Sequence, residues 1–499
     1  MSSPSTRFRS NLSTGLAVLV GVWLASLTWS STVDDAWISA RYGASWAEGY
    51  GWRFSPGAPP VEGFSNPLWT AMLGVTHWLD VDPHLAMCGL GLAAHTATIA
   101  LSATLARRLA PGASPRAIAL APWALALSPH LAVVSTNGLE TSAFLLVVCL
   151  AWLGALSGWG SGLVAACVLA VVAMRPEGLL VAWPLWWATR DRGHRWQAQG
   201  AAWLALGLGV LTAWRLATFG QWLPNTVMAK GGVPLSLVAS GNLRYLTMDG
   251  PLWFVAWLLL AASIVSRASQ PGRQGVAVTG LLLAGVALRV ELWMPGARLM
   301  CISWLCTALL LPGWVHLAGR RARALEVALA ALLVAITVSL GPSTRAYDHR
   351  HSVQPGNGAS QAGAWLADHL PSGATLAVRD AGVLAYWAGP AMQVAELHPR
   401  ALTQPHPNRG PAVLERYVPA NPEAVALTQA REQATDVRYR NDRTVFEGLT
   451  MPYRYVGRVY QHTHRYYDVY VRGDIALPEA PPSWVVNQRG PAPPDGRVR

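Results

Sequence analysis

Two carboxylates stand side by side in the stretch "TVDDAWISARYGASWAEGYGWRFSPGAPPVEGFSNPLW" (residues 32–69): Asp34 and Asp35. A carboxylate so placed can take a proton from an attacking hydroxyl as a general base. Adjacent acids also begin a divalent-cation site, although two side chains are too few to complete one. A third reading is that the pair only marks where the chain leaves a membrane. Further charges recur at the ends of apolar runs. "TNGLET" (136–141) ends in Glu140, with Thr136 or Asn137 suited to cap the helix that follows. "MRPEGLL" (174–180) holds Arg175 and Glu177, a pattern also expected of side chains snorkelling at a span end. "WLPNTVMAKGG" (222–232) carries Lys230, the only lysine in the chain, whose compact ammonium suits a phosphate. "ELWMPGARLM" (291–300) adds Glu291 and Arg298, and a guanidinium can grip phosphate through two parallel hydrogen bonds. Cations that hold a lipid phosphate while a carboxylate deprotonates an acceptor would make a glycosyl-transfer site with a lipid leaving group.

The elements that must position these residues are apolar. The 499-residue chain is 52% hydrophobic and 13% charged, against about 25% charged in soluble domains. Its apolar residues gather into runs near bilayer length. The first, "NLSTGLAVLVGVWLASLTWSS", follows Arg7 and Arg9 and lacks a small-residue cleavage site, so it reads as an uncleaved helix. Basic loops at 7–9, 107–116, 190–195, 267–273 and 320–323 are assigned to the cytoplasm by the positive-inside rule, which also accounts for the net charge of +12. Scattered bases of this kind do not make a nucleic-acid face. The spans that satisfy them are 14–31, 84–106, 116–134, 140–157, 160–174, 178–189, 197–217, 251–266, 275–290, 298–317 and 324–341. These are eleven crossings, with the N-terminus inside and everything after 342 outside.

Parity requires that residues 66–80 not cross, so 32–83 reads as one external loop carrying helices on the membrane surface. A second external loop covers 218–250. The transmembrane domain then spans 1–341. The tail from 342 to 479 reads as a small external α/β domain: "GAWLADHL" has helical spacing, "TLAVRD" and "MQVAEL" look like strands, and "YRYVGRVYQHTHRYYDVYVR" alternates as a hairpin does. Residues 480–499, rich in Pro, Gly and Arg, are expected to be disordered. All five cysteines fall in apolar runs, so neither a disulfide framework nor a metal-type spacing is implied.

The long first-loop stretch resembles the signature of bacterial GT-C glycosyltransferases related to the mycobacterial terminal arabinofuranosyltransferases. The matching residues are Asp34-Asp35, Ile38-Ser39-Ala40-Arg41-Tyr42, Gly49-Tyr50-Gly51, Pro56-Gly57 and the run from Val61 to Trp69. "NGLET", "RPEG", "PNTVMAK", "DAGVLAYWAG" and "VAELH" follow in the family's order, so the resemblance covers about residues 14–400. It implies an α-helical polytopic membrane protein of the GT-C type and a donor sugar linked to polyprenyl phosphate. The acceptor would be an envelope glycan or glycolipid on the external, periplasmic face of a bacterial inner membrane. One acid of the Asp34–Asp35 pair would be the base, with the first favoured because it lies nearer the membrane plane. Lys230 and Arg298, with Arg175, carry over as phosphate contacts, and Arg41, Glu62, Asn66, Glu140 and Glu291 as other substrate-side residues. Relatives commonly carry Gly-Gly-Asp where this chain reads "RVELWMP", so Glu291 replaces that acid with a shift of one residue. Glu396 similarly stands where relatives often have an aspartate. The resemblance implies no definite cofactor, a divalent cation at the acid pair staying open, and arabinose specificity does not transfer, since one fold serves several sugars.

Two other classes compete. A transporter or flippase for lipid-linked saccharides would be expected to show an inverted repeat and mid-span charges, and the sequence has neither. A non-catalytic envelope assembly protein would use the tail to bind a partner and would not need the acids.

Overall fold

The structure is a computed structural model and describes residues 4–230, 235–266, 270–289, 295–353, 356, 358–397, 421–430, 449–462, 465–478 and 482. Among the described residues the chain is predominantly helical, with one small sheet. It divides into two compact units. The first gathers Met1–Trp29, Met87–Ala213 and Val233–Asp348, and the second Ser30–Ala86, Trp214–Gly232 and His349–Arg499.

The first unit is a set of apolar helices. All eleven expected spans are largely helical. Among the described residues, three helical stretches are long and apolar enough to cross a membrane: Pro83–Leu109, His194–Phe219 and Gly319–His349. A fourth is formed if Pro115–Ala126 and Pro129–Thr136, bent by 51°, count as one. The bend has a local cause. Pro129 lacks the N–H that would continue the first helix, and Ser128 instead caps the second by accepting Leu131 N–H. Ser114 caps Pro115–Ala126 in the same way. Thr141–Ser157 ends at Gly158, whose φ of 89° is the left-handed conformation that glycine adopts without penalty. Residues 218–250, expected as a loop, contain helix Asn225–Lys230 and the start of helix Leu235–Val265. The reason is visible in "LSLVASGNLRYLTMD": polar residues alternate with the apolar ones, so hydropathy understates an amphipathic helix.

In the second unit the Asp34–Ala47 and Pro67–Trp78 helices cross closely. A Cβ on Gly43 would come within 2.7 Å of Gly74 N, and one on Gly74 within 2.9 Å of Gly43 O, so only glycine allows this approach. The 12-residue Pro67–Trp78 helix is about 18 Å long at about 1.5 Å per residue, short of an apolar bilayer core of about 30 Å. The sheet contains β1 (Thr375–Val378), β2 (Gln393–Glu396), β3 (Ala424–Ala430), β4 (Tyr453–His462) and β5 (Arg465–Arg472). Their order is β2-β1-β3-β5-β4. β1 pairs in parallel with β2 and β3, while β5 pairs antiparallel with β3 and β4. Ala377, Ala395, Leu397, Val425, Leu427, Tyr453 and Tyr470 form a core on it. Helices Gly358–His369 and Val383–Trp387 belong to the same unit. The tail 480–499 lies outside the described residues except for Pro482.

Candidate active site

The acid pair opens the Asp34–Ala47 helix, with Val33 as its extended N-cap. Carboxylates in a first turn also complement the positive end of the helix dipole, whatever chemistry they do. Both are half-buried. Asp34 Oδ1 accepts the backbone N–H of Val383 at 2.9 Å. Gly382 packs so close that a Cβ there would collide with the Asp34 backbone oxygen and carboxylate. One turn on, the fully buried Trp37 packs against Tyr386 and Trp387. Arg41 follows, 1% exposed. Its guanidinium donates to the carbonyls of Phe54 at 2.8 Å, Gly389 at 2.9 Å, Met392 at 2.7 Å and Ala385. Burial pulls the Arg41 pKa down to about 9. This residue, expected on the substrate side, thus binds main-chain oxygens on two segments.

The loop after this helix is held by a second set of bonds. Tyr42 donates its hydroxyl to Val61 O at 2.7 Å and accepts Gly63 N–H at 3.2 Å. Burial raises the Tyr42 pKa. Ser39 and Thr70 both reach Asn66 Oδ1 at 3.1 Å. Between them Glu62 is buried, with Arg215 Nε donating to both carboxylate oxygens at 3.0 Å. The Glu62 carbonyl accepts Asn225 N–H at 3.0 Å, which ties this loop to the helix that ends in Lys230. Arg215 was not singled out from sequence. The available signal was an arginine near the end of an otherwise apolar helix, where a charge requires a partner.

Glu62 is expected to make folding pH-dependent. Burial raises its carboxyl to about 7 from an ordinary value near 4.5, although Arg215 pulls the other way. The folded form therefore keeps a proton that the unfolded chain releases at lower pH. The stability this contributes is complete below about pH 4.5 and is lost as pH rises through about 7. Glu62→Gln should flatten that slope: the difference in unfolding temperature between wild type and variant is expected to shift in favour of the variant from pH 5 to pH 8.

A separate cluster forms in the first unit. Arg175 Nη1 and Arg298 Nη1 each lie 3.7 Å from Glu140 Oε1. Arg175 Nε also donates to Glu177 Oε1 at 2.7 Å, and its guanidinium sits 5.3 Å from the Phe144 ring centroid. Arg175, Glu177, Arg298, Phe144 and Leu283 line a small pocket here. Arg298 Nε is buried and has no hydrogen-bond partner among the described residues. The adjacent Asn137 keeps Oδ1 on Leu139 N–H at 3.1 Å and caps the end of Pro129–Thr136. Two guanidinium groups thus meet one carboxylate oxygen, and a second carboxylate, on Glu177, balances the pair of charges.

The structure thus gathers Glu140, Arg175 and Arg298 in one unit, and Asp34, Asp35, Arg41, Glu62 and Asn66 in the other. Lys230 ends a helix of the second unit. Glu291 lies outside the described residues. No group of three or more metal-ligating side chains occurs among the described residues. In the sequence Gly382 and Val383 are only part of the "DAGVLAYWAG" motif, and no local signal marks their contact with Asp34.

No protein-family model matches the chain, and no curated protein matches it in sequence. Solved structures do match in shape. The Archaeoglobus fulgidus oligosaccharyltransferase, solved with zinc and sulfate, aligns with a TM-score of 0.56 at 13% identity, covering 91% of this chain and 73% of its own. ArnT from Cupriavidus metallidurans, bound to undecaprenyl phosphate, also gives 0.56, at 15% identity over 94% of this chain and 99% of its own. The mycobacterial arabinofuranosyltransferase AftD gives 0.50 at 16% identity over 94% of this chain, which spans 42% of AftD. The likeness is one of fold: this chain shares the fold of these three proteins.

Proposed function

We propose that this chain is an integral-membrane glycosyltransferase. It moves a sugar from a polyprenyl-phosphate-linked donor to an envelope glycan or glycolipid acceptor on the external face, with inversion. One carboxylate of the Asp34–Asp35 pair takes the acceptor hydroxyl proton as the acceptor oxygen bonds to the anomeric carbon. The bond from that carbon to the phosphate oxygen breaks, and polyprenyl phosphate leaves. Arg175, Arg298 and Lys230 stabilise the phosphate charge that develops. Glu140 orients the two arginines, Glu62 and Asn66 order the acceptor-side loop, and Glu291 belongs to the same substrate side. The proposed topology is eleven crossings over 1–341, external loop 32–83, and an external α/β tail from 342 to 479, in a bacterial inner membrane.

The observation that carries this reading is the half-buried acid pair in the first turn of a mostly buried helix, directly after the first apolar helix, in a chain of GT-C fold. The test uses the full chain in lipid nanodiscs with a panel of synthetic polyprenyl-phosphate pentoses and hexoses and a delipidated envelope glycan as acceptor. Mass spectrometry should show sugar transfer. Asp34→Asn combined with Asp35→Asn should lower it by about 10²–10⁴-fold. An equal rate in that double variant, with normal insertion, would remove the catalytic role of the pair.

A further inference from the structure

The two acids are adjacent in sequence but not equivalent in the fold. Successive residues of a helix point about 100° apart. Asp34, Trp37 and Arg41 therefore share one face of the Asp34–Ala47 helix, within an arc of about 60°. All three hold the same tail segment: Asp34 takes Val383 N–H, Trp37 packs on Tyr386 and Trp387, and Arg41 binds the carbonyls of Ala385, Gly389 and Met392. Gly382 completes the fit, because any Cβ would strike the Asp34 carboxylate. Asp35 falls on a different face, with Ser39 and Tyr42. That face meets the 61–66 loop, through Ser39 to Asn66 Oδ1 and Tyr42 to Val61 O.

We infer that Asp34 is a positioning residue that latches the Gly382–Met392 segment onto this helix, and that Asp35 is the carboxylate that serves as base. The second half rests on the proposed function; the first does not. A base must reach the acceptor proton within hydrogen-bond distance. Asp34 presents one oxygen to a backbone N–H and has the Gly382 backbone against the other, so its reach is taken up by the tail. Asp35 shares its face with the residues that hold the Glu62–Asn66 loop, which the proposed function puts on the acceptor side.

The experiment pairs an activity-independent readout with transfer. Amide exchange over residues 380–392 is followed by mass spectrometry on the full chain in nanodiscs, alongside sugar transfer, in four variants. Asp34→Asn keeps an acceptor oxygen, so exchange should stay close to wild type and transfer should fall by less than tenfold. Asp34→Ala and Gly382→Ala break the latch, so exchange over the segment should rise by about tenfold or more, with transfer falling alongside it. Asp35→Asn should leave exchange unchanged and lower transfer by about 10²-fold or more. Wild-type exchange in both Asp34→Ala and Gly382→Ala would overturn the latch. A loss of transfer of about 10²-fold or more in Asp34→Asn with exchange intact would make Asp34 the base instead. If the wild-type chain transfers nothing from any donor, the proposed function and the base assignment fail together, and exchange still decides the latch.

Discussion

Arg41→Met should free the tail segment from the acid-pair helix at a cost of about 4 kcal/mol or more. Arg41 is almost wholly buried and donates to four backbone carbonyls, on Phe54, Ala385, Gly389 and Met392. Hydrogen bonds made by a charged group each contribute about 1.5–3 kcal/mol, and buried carbonyls left without a donor carry a desolvation penalty. Methionine fills much of the same space and offers none of the donors. Lysine should recover little, because a single ammonium cannot span carbonyls that a planar fork reaches from several nitrogens. The measurement is exchange and limited proteolysis at residues 383–392, compared with a lowered unfolding temperature for the whole chain. Unaltered protection of that segment in Arg41→Met would show that Trp37 packing holds it alone.

Arg175→Leu should destabilise the first unit by about 3–5 kcal/mol, the usual consequence of removing one partner from a buried ion pair. The side chain is 10% exposed and faces both Glu140 and Glu177. Without it two carboxylates remain in an apolar setting, one of them with Arg298 at 3.7 Å as its remaining cation at this cluster. Adding Glu177→Leu to the same chain should restore more than half of the loss, because a buried pair replaced by apolar residues is often neutral. Thermal unfolding of both variants in detergent micelles separates the cases. If the single and the double variant unfold together, the uncompensated charge is not what destabilises the chain.

Much of this architecture was legible because it is local. Apolar runs of bilayer length announce helices by composition, and all eleven runs chosen this way are largely helical. "TLAVRD", "MQVAEL" and the alternating tyrosine-rich stretch carry strands β1, β2, β4 and β5. Strand β3 was missed: "AVALTQA" gives no turn signal of its own and is defined by pairing with β1 and β5. The arginine cluster was half legible. Arg175, Glu140 and Arg298 each drew notice at the end of an apolar run, but sequence alone could not place two of them on one carboxylate oxygen. Glu62 and Arg215 stand 153 positions apart and Asp34 and Val383 stand 349 apart, so no window of sequence contains either contact. Arg41 was legible as a conspicuous charge, whereas its commitment to main-chain oxygens emerges only when the tail folds beside it.

The spacing of Asp34, Trp37 and Arg41 also limits how this chain can evolve in length. Substitutions elsewhere on the Asp34–Ala47 helix, such as at the exposed Trp46, leave the three contacts in register. A single-residue insertion or deletion between positions 34 and 41 is different in kind. It would turn one end of the helix by about 100° relative to the other, so the acid and the arginine could no longer grasp the same segment. The stretch from the first acid to the buried arginine is a ruler of fixed length, tolerant of changed letters and intolerant of a changed count.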